Sequence, residues 1–269
     1  MKTTLAALVA AAVLSACSAV NQSKIDKDTL TTQDWSPDRL YSEARDELNN
    51  GNYTRAATLY GLLRSRLPEG RYAEQALLEE AYAQHKNEEP EKALANLIRF
   101  EQHYPASIHM DYALYLRGLV LFGEDPSFLN KLSSQDWSDR DPEANRKTYA
   151  VFEKLVKRFP NSKYADDSRK RMAKLVDALG GHEMAIARYY AKRGAFTAAH
   201  NRAANVIEKF QNTRYVEEAL AIMLFSQQKM GNAQLVEDTR RVLANNFPNS
   251  PYLQKEWEAD DMPWWRYWK

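Results

Sequence analysis

Phe159-Pro160-Asn161-Ser162-Lys163-Tyr164 is one of five copies of a phrase that punctuates the chain. The others are Leu67-Pro68-Glu69-Gly70-Arg71-Tyr72, Tyr104-Pro105-Ala106-Ser107-Ile108-His109, Phe210-Gln211-Asn212-Thr213-Arg214-Tyr215 and Phe247-Pro248-Asn249-Ser250-Pro251-Tyr252. Proline cannot continue a helix, and it pushes the residue before it out of the α region. Two residues on, Ser or Thr offers a side-chain oxygen that can cap the next helix. Each copy therefore reads as a joint: one helix stops and another starts.

The distance between joints selects the architecture. Pro68 to Pro105 spans 37 residues, and Gln211 to Pro248 spans 37 again. Pro105 to Pro160 is 55 and Pro160 to Gln211 is 51, in each case one period plus an insertion. A period in the mid-thirties with two helices per unit is the mark of the tetratricopeptide (TPR) solenoid. Internal residues agree. Gly51, Tyr53, Ala56, Tyr60 and Pro68 stand at TPR spacings, and Gly194, Phe196, Ala199 and Ala203 repeat the offsets in the fourth unit. The competing reading is a plain helical bundle with coincidental prolines, which five matching returns disfavour. The fold class expected is an all-α TPR solenoid of five helix-turn-helix repeats, with an insertion in repeat 3 and a Trp-rich carboxy-terminal tail.

Residues 1–16 read as a signal peptide. Lys2 is followed by an apolar run from Leu5 to Leu14, too short to span a bilayer, which takes about 20 residues. The run closes on Leu14-Ser15-Ala16-Cys17, the form of a bacterial lipobox. Cys17 is then the lipid attachment site, carrying covalent diacylglycerol and an N-acyl chain; an ordinary secretory signal that happens to hold a cysteine is the alternative. Cys17 is the single cysteine, which rules out a disulfide within one chain. Ser18 in the next position points to the outer membrane, periplasmic face. Residues 17–35 form a polar tether, 36–252 the repeats, and 253–269 a capping segment and tail.

Loss of the leader removes Lys2 from 37 basic residues and leaves them balanced by 36 acidic ones. That balance is not one for nucleic acid. Catalytic motifs are missing too. The five histidines are scattered, and His182-Glu183 fails as a zinc-protease helix because Ile186 stands where the second ligand belongs. No cofactor beyond the lipid and no metal is expected. A chain consumed by repeats is expected to be a binding module and not an enzyme; an envelope enzyme with a TPR shell would need a further domain.

Within the repeats, Ser36-Pro37 opens the first helix, and the second unit turns at Asn87-Glu88-Glu89-Pro90. The third is interrupted from Gly123 to Asn145, and its closing helix is expected from Ala144 to Phe159. The segment Tyr164 to Arg193 is longer than one helix needs, and Gly180-Gly181 is expected to kink or break it. Mapping the period puts Tyr41, Arg45 and Leu48, then Leu78, Tyr82 and His85, then Tyr112 and Tyr115, on the groove side of the first helices. Such a strip suits an extended peptide with alternating aromatics, Arg45 pairing with its terminal carboxylate; packing between repeats is the plainer role for each residue. Near the end, a capping helix is expected at Ser250-Pro251, with Tyr252, Leu253 and Trp257 against the second helix of the fifth unit. Trp264, Trp265 and Trp268 are expected to fold back, docking on a partner being the alternative.

The lipobox, Met110-Asp111-Tyr112-Ala113-Leu114-Tyr115-Leu116-Arg117-Gly118-Leu119, Ser138-Asp139-Arg140-Asp141-Pro142, Tyr189-Tyr190-x-x-Arg193-Gly194-Ala195-Phe196 and Asn201-Arg202 together resemble the BamD (ComL) family, lipoproteins of the β-barrel assembly machinery. The resemblance covers essentially the whole mature chain; the Trp-rich tail departs from it. It implies five TPRs. It also implies that the amino-terminal repeats receive carboxy-terminal targeting strands of unfolded outer-membrane proteins. The carboxy-terminal repeats would dock a BamA-like barrel protein through its POTRA domains, together with other Bam lipoproteins. Arg188, Arg193 and Arg202, with Asp139, Arg140 and Asp141 in the insertion, are the partner-binding candidates. The alternative is another periplasmic TPR lipoprotein, a pilotin or a peptidoglycan-associated adaptor.

Overall fold

The computed structural model describes residues 31–123 and 141–258, and they form ten α-helices and a short 3-10 turn, with no strand among them. Repeat one is α1 (Pro37–Asn49) and α2 (Tyr53–Arg66), repeat two α3 (Arg71–Lys86) and α4 (Pro90–His103), repeat three α5 (Met110–Phe122) and α6 (Pro142–Arg158). Repeat four is α7 (Ala165–Lys192) and α8 (Phe196–Lys209), repeat five α9 (Val216–Lys229) and α10 (Ala233–Asn246). The chain divides into two compact units, Met1–Val120 and Leu121–Lys269, the division falling within α5. Cys17, Asp139, Arg140, Trp264, Trp265 and Trp268 lie outside the described residues.

Four turns inside repeats are closed alike. In repeat one, Gly51 N–H donates to Leu48 and Asn52 N–H to Glu47. That is the Schellman arrangement, which needs a left-handed residue after the helix. Gly51, Gly194 and Gly231 supply it at φ 80, 75 and 73°, and in repeat two Glu88 adopts φ 59° in the same place. Not every joint meets the sequence expectation. Ser162 does not cap α7; its Oγ accepts from the Tyr164 N–H at 3.2 Å, and Ser107 does the same for His109 ahead of α5, whereas Ser250 does cap, as the N-cap of the 3-10 turn Pro251–Leu253, its side chain accepting from the Tyr252 N–H. Ser162 and Ser107 stand three residues ahead of the first helical residue, so they rigidify the bend and not the helix start.

Three more expectations change. The closing helix of repeat three begins at Pro142, with Asp141 as N-cap accepting from the Glu143 N–H at 3.0 Å. The helix α7 runs unbroken through Gly180-Gly181, both buried. Those glycines mark a close approach: a Cβ on Gly180 would lie 3.3 Å from Thr213 Oγ1 and 3.4 Å from Phe210 Cβ. Among the described residues no capping helix follows Ser250; one 3-10 turn, Pro251–Leu253, leads into irregular chain. Trp257 is 5% exposed and packs on the first helix of repeat five, its ring 5.4 Å from that of Phe225. Irregular chain can cross the end of the repeat, which a straight helix on α10 could not do.

The unit-one core is Leu40, Ala44, Ala56, Leu59, Tyr60, Leu63, Ala76 and Ala83. Small residues admit close helix contact and Tyr60 fills the gap. In the second unit Ala187, Ala191, Ala199, Ala203 and Ala219 play that part around Met184, Val206, Ile222 and Trp257. Charged residues on these interfaces are paired: Arg64 with buried Glu80 at 3.1 Å, Arg117 with Glu101 at 2.6 Å.

Candidate functional site

Unit one gathers three tyrosines where α1, α2 and α3 meet. Tyr41 stands edge-on to Tyr60 at 5.9 Å and tilted against Tyr72 at 5.8 Å. Tyr72 Oη donates to Asp38, tying α3 to α1. Tyr60 is fully buried, yet its hydroxyl has no hydrogen-bond partner among the described residues. Beside this cluster lies the carboxylate of Glu79 on α3, close enough to Tyr41 and Tyr60 to raise the pKa of both, after burial itself. Burial pushes the Glu79 carboxyl up, while Arg45 on α1 and His109 ahead of α5 pull it partway back. No hydrogen bond or ion pair holds Glu79 among the described residues.

The predicted groove strip is thus partly assembled and partly redistributed. Tyr41 and Arg45 sit in this cluster, Arg45 exposed; Leu48 packs onto the unit-one core. Leu78 is buried, and Tyr82, His85, Tyr112 and Tyr115 are half-buried. Sequence reasoning missed Tyr60, Tyr72, Glu79 and His109. A signal was there: Glu79 lies seven residues after Tyr72, two helical turns along the stripe that also carries Ala76 and Ala83, so it is an acid on a face of small core residues.

The raised Glu79 carboxyl has a consequence for stability. The unfolded chain releases this proton near the ordinary value, 4.5, and the folded chain holds it longer. The contribution is therefore present below the unfolded value and lost as pH rises through the folded one. Glu79→Gln should raise the melting temperature at pH 7, and the gain should shrink toward zero as pH falls to about 4.5. Melting curves across that range check it; a gain independent of pH, or a loss, would contradict it.

In unit two the three candidate arginines have different surroundings. Arg188 grips Glu218 of α9 twice, Nε to Oε1 at 2.8 Å and Nη2 to Oε2 at 2.5 Å. Trp257 Nε1 donates to the same Oε1 at 3.3 Å. Arg202 Nη1 lies 3.0 Å from Oε2 of Glu183, whose side chain is buried in α7. Arg193 is exposed at the end of α7, its guanidinium 6.0 Å over the Tyr189 ring. Tyr189 in turn meets Tyr190 edge-on at 5.7 Å. Arg188 and Arg202 therefore hold helices together, and Arg193 faces solvent beside an aromatic pair. The described residues contain no group of three His, Cys, Asp or Glu placed to hold a metal ion, and no helix among them is long and apolar enough to cross a membrane.

A family model described as YfiO, outer membrane lipoprotein, matches residues 33–243. The chain is 62% identical over 255 residues to the outer membrane protein assembly factor BamD of Neisseria meningitidis serogroup A, covering 95% of each chain. It is 61% identical over 255 residues to the protein of that name from Neisseria gonorrhoeae, again 95% of each. Against the one from Vibrio cholerae it is 35% identical over 243 residues, 90% of this chain and 98% of the other.

Proposed function

This chain belongs to the YfiO (BamD) family of outer membrane lipoproteins, and from that premise we propose that it is a scaffold and client receptor in β-barrel assembly at the outer membrane. Acyl chains on Cys17 anchor it to the periplasmic face, where each buried methylene contributes about 0.8 kcal/mol. The unit-one cluster around Tyr41, Arg45 and Glu79 receives the carboxy-terminal targeting strand of an unfolded outer-membrane protein. Unit two docks a BamA-like barrel protein through its POTRA domains and meets the other Bam lipoproteins. It works by binding, and no bond is made or broken. The observation that carries the reading is the match to relatives named as assembly factors along nearly the whole chain.

The surroundings of the arginines decide how to test the unit-two contact. Arg202→Leu would strand the buried Glu183 and confuse folding with binding. Arg193→Glu changes an exposed side chain, so its effect on stability should stay within about 0.5 kcal/mol. If a partner desolvates Arg193 against acidic groups, charge reversal should cut co-purification of the barrel subunit from gently solubilised membranes about tenfold or more. Full recovery of the barrel subunit with Arg193→Glu would move the contact elsewhere, and failure of the wild-type protein to recover any barrel subunit would end the proposed function.

A further inference from the structure

Two polar groups of unit one, on the packed helices α2 and α3, have no hydrogen-bond partner among the described residues, and the charge of one acts on the other. The Tyr60 hydroxyl is fully buried with no partner among the described residues. The Glu79 carboxylate is half-buried and held by no hydrogen bond or ion pair there. Native proteins rarely leave a buried hydroxyl such as that of Tyr60 open, since it costs about 1–3 kcal/mol of desolvation. Had the cluster served packing alone, phenylalanine and glutamine or alanine would fill it at less cost. Arg45 adds an exposed donor from the facing helix α1.

The set defines what could complete it. A cationic side chain would find Glu79 but also Arg45 and His109, both of which act on that carboxylate. An anion would find Arg45 but also Glu79. A neutral group that offers a donor beside an acceptor suits all three. The edge of an extended peptide is such a group, because the N–H and C=O of one residue point to the same side of a strand. Tyr41, edge-on to Tyr60 at 5.9 Å, is itself only half-buried, and the clamp requires its side chain to turn aside to admit the strand.

We propose that Tyr60, Glu79 and Arg45 form a main-chain clamp, in which the Tyr60 hydroxyl and the Arg45 guanidinium donate to a peptide carbonyl and Glu79 accepts the adjacent peptide N–H. This rests on the client-strand reading above and deepens it: unit one recognises that a client strand is extended before it recognises its side chains. Main-chain bonding supplies affinity that tolerates many sequences, as in other modes of extended-peptide capture. The flanking rings of Tyr41 and Tyr72 then add a preference for aromatic side chains.

The test uses the full chain and a fluorescein-labelled peptide of alternating aromatic and polar residues with a free carboxy-terminus, followed by anisotropy. A set of copies carries one N-methyl group at each internal amide in turn. At one or two positions N-methylation should weaken binding about tenfold, the loss of one charge-assisted hydrogen bond. Permuting the polar side chains should change it less than about threefold. Tyr60→Phe should weaken binding while raising the melting temperature, since it deletes an unsatisfied hydroxyl; a purely structural tyrosine would not separate the two readouts in this way. Binding that ignores every N-methyl group and Tyr60→Phe overturns the clamp and leaves client reception standing. A wild-type protein that binds none of the peptides overturns both.

Discussion

Trp257→Ala is expected to destabilise the carboxy-terminal unit by about 3–5 kcal/mol, the usual cost of truncating a buried Trp or Phe. The indole is 5% exposed and lies in the cluster of Met184, Ala187, Ala219 and Ile222, with the Phe225 ring at 5.4 Å. Its N–H reaches the Glu218 carboxylate that Arg188 already grips, so one side chain closes both an apolar crevice and an ion pair. Neighbouring alanines cannot collapse into the space, because their short side chains have no reach. Trp257→Phe should cost far less, about 1–2 kcal/mol, since the ring stays and Glu218 keeps Arg188. Urea unfolding measures the sizes. Hydrogen exchange locates them, with protection falling first in α9 and α10 because repeats depend on nearest neighbours. A change below about 1 kcal/mol for Trp257→Ala would show that the terminal segment contributes little to the fold.

Gly180→Leu is the second large effect, and Gly180→Ala is its control. Alanine in a helix is worth about 1 kcal/mol over glycine. Here the added Cβ would meet Thr213 Oγ1 at 3.3 Å and Phe210 Cβ at 3.4 Å, so the neighbours must yield a few tenths of an ångström. The two terms nearly cancel and Gly180→Ala should be close to neutral. Leucine cannot be accommodated that way. Its branched end would drive the joint at Phe210–Thr213 off α7, and overpacking of this kind costs about 1–3 kcal/mol, here at the upper end. The joint sets where α9 starts, so the loss should spread into repeat five. Equal stabilities for Gly180→Leu and wild type, by urea unfolding, would mean that α7 and this joint do not touch in solution as described.

How far the sequence alone reaches depends on the range of the interactions concerned. The helix pairs were legible because their causes are local: proline stops a helix wherever it stands, and a tight turn after a helix asks for a left-handed residue that Gly51, Gly194 and Gly231 supply. The period of 37 is a count, and stacking follows from it. Local reasoning failed where a residue answers to a distant one. Gly180-Gly181 read as a helix breaker because propensity is a local quantity; in the structure the glycine is there for Thr213, more than thirty residues on. Ser162 read as a cap because its spacing allowed it, whereas the N-cap fell two residues later. Groove residues mapped by period gave the right helices, but a stripe one residue around carries Glu79, and the unsatisfied hydroxyl of Tyr60 exists only because α1 and α3 bury it. Which arginines hold the fold and which faces solvent was likewise decided by tertiary contacts, since charge is written in the sequence and its partner is not: Arg188 found Glu218, Arg202 found Glu183, and Arg193 remained exposed.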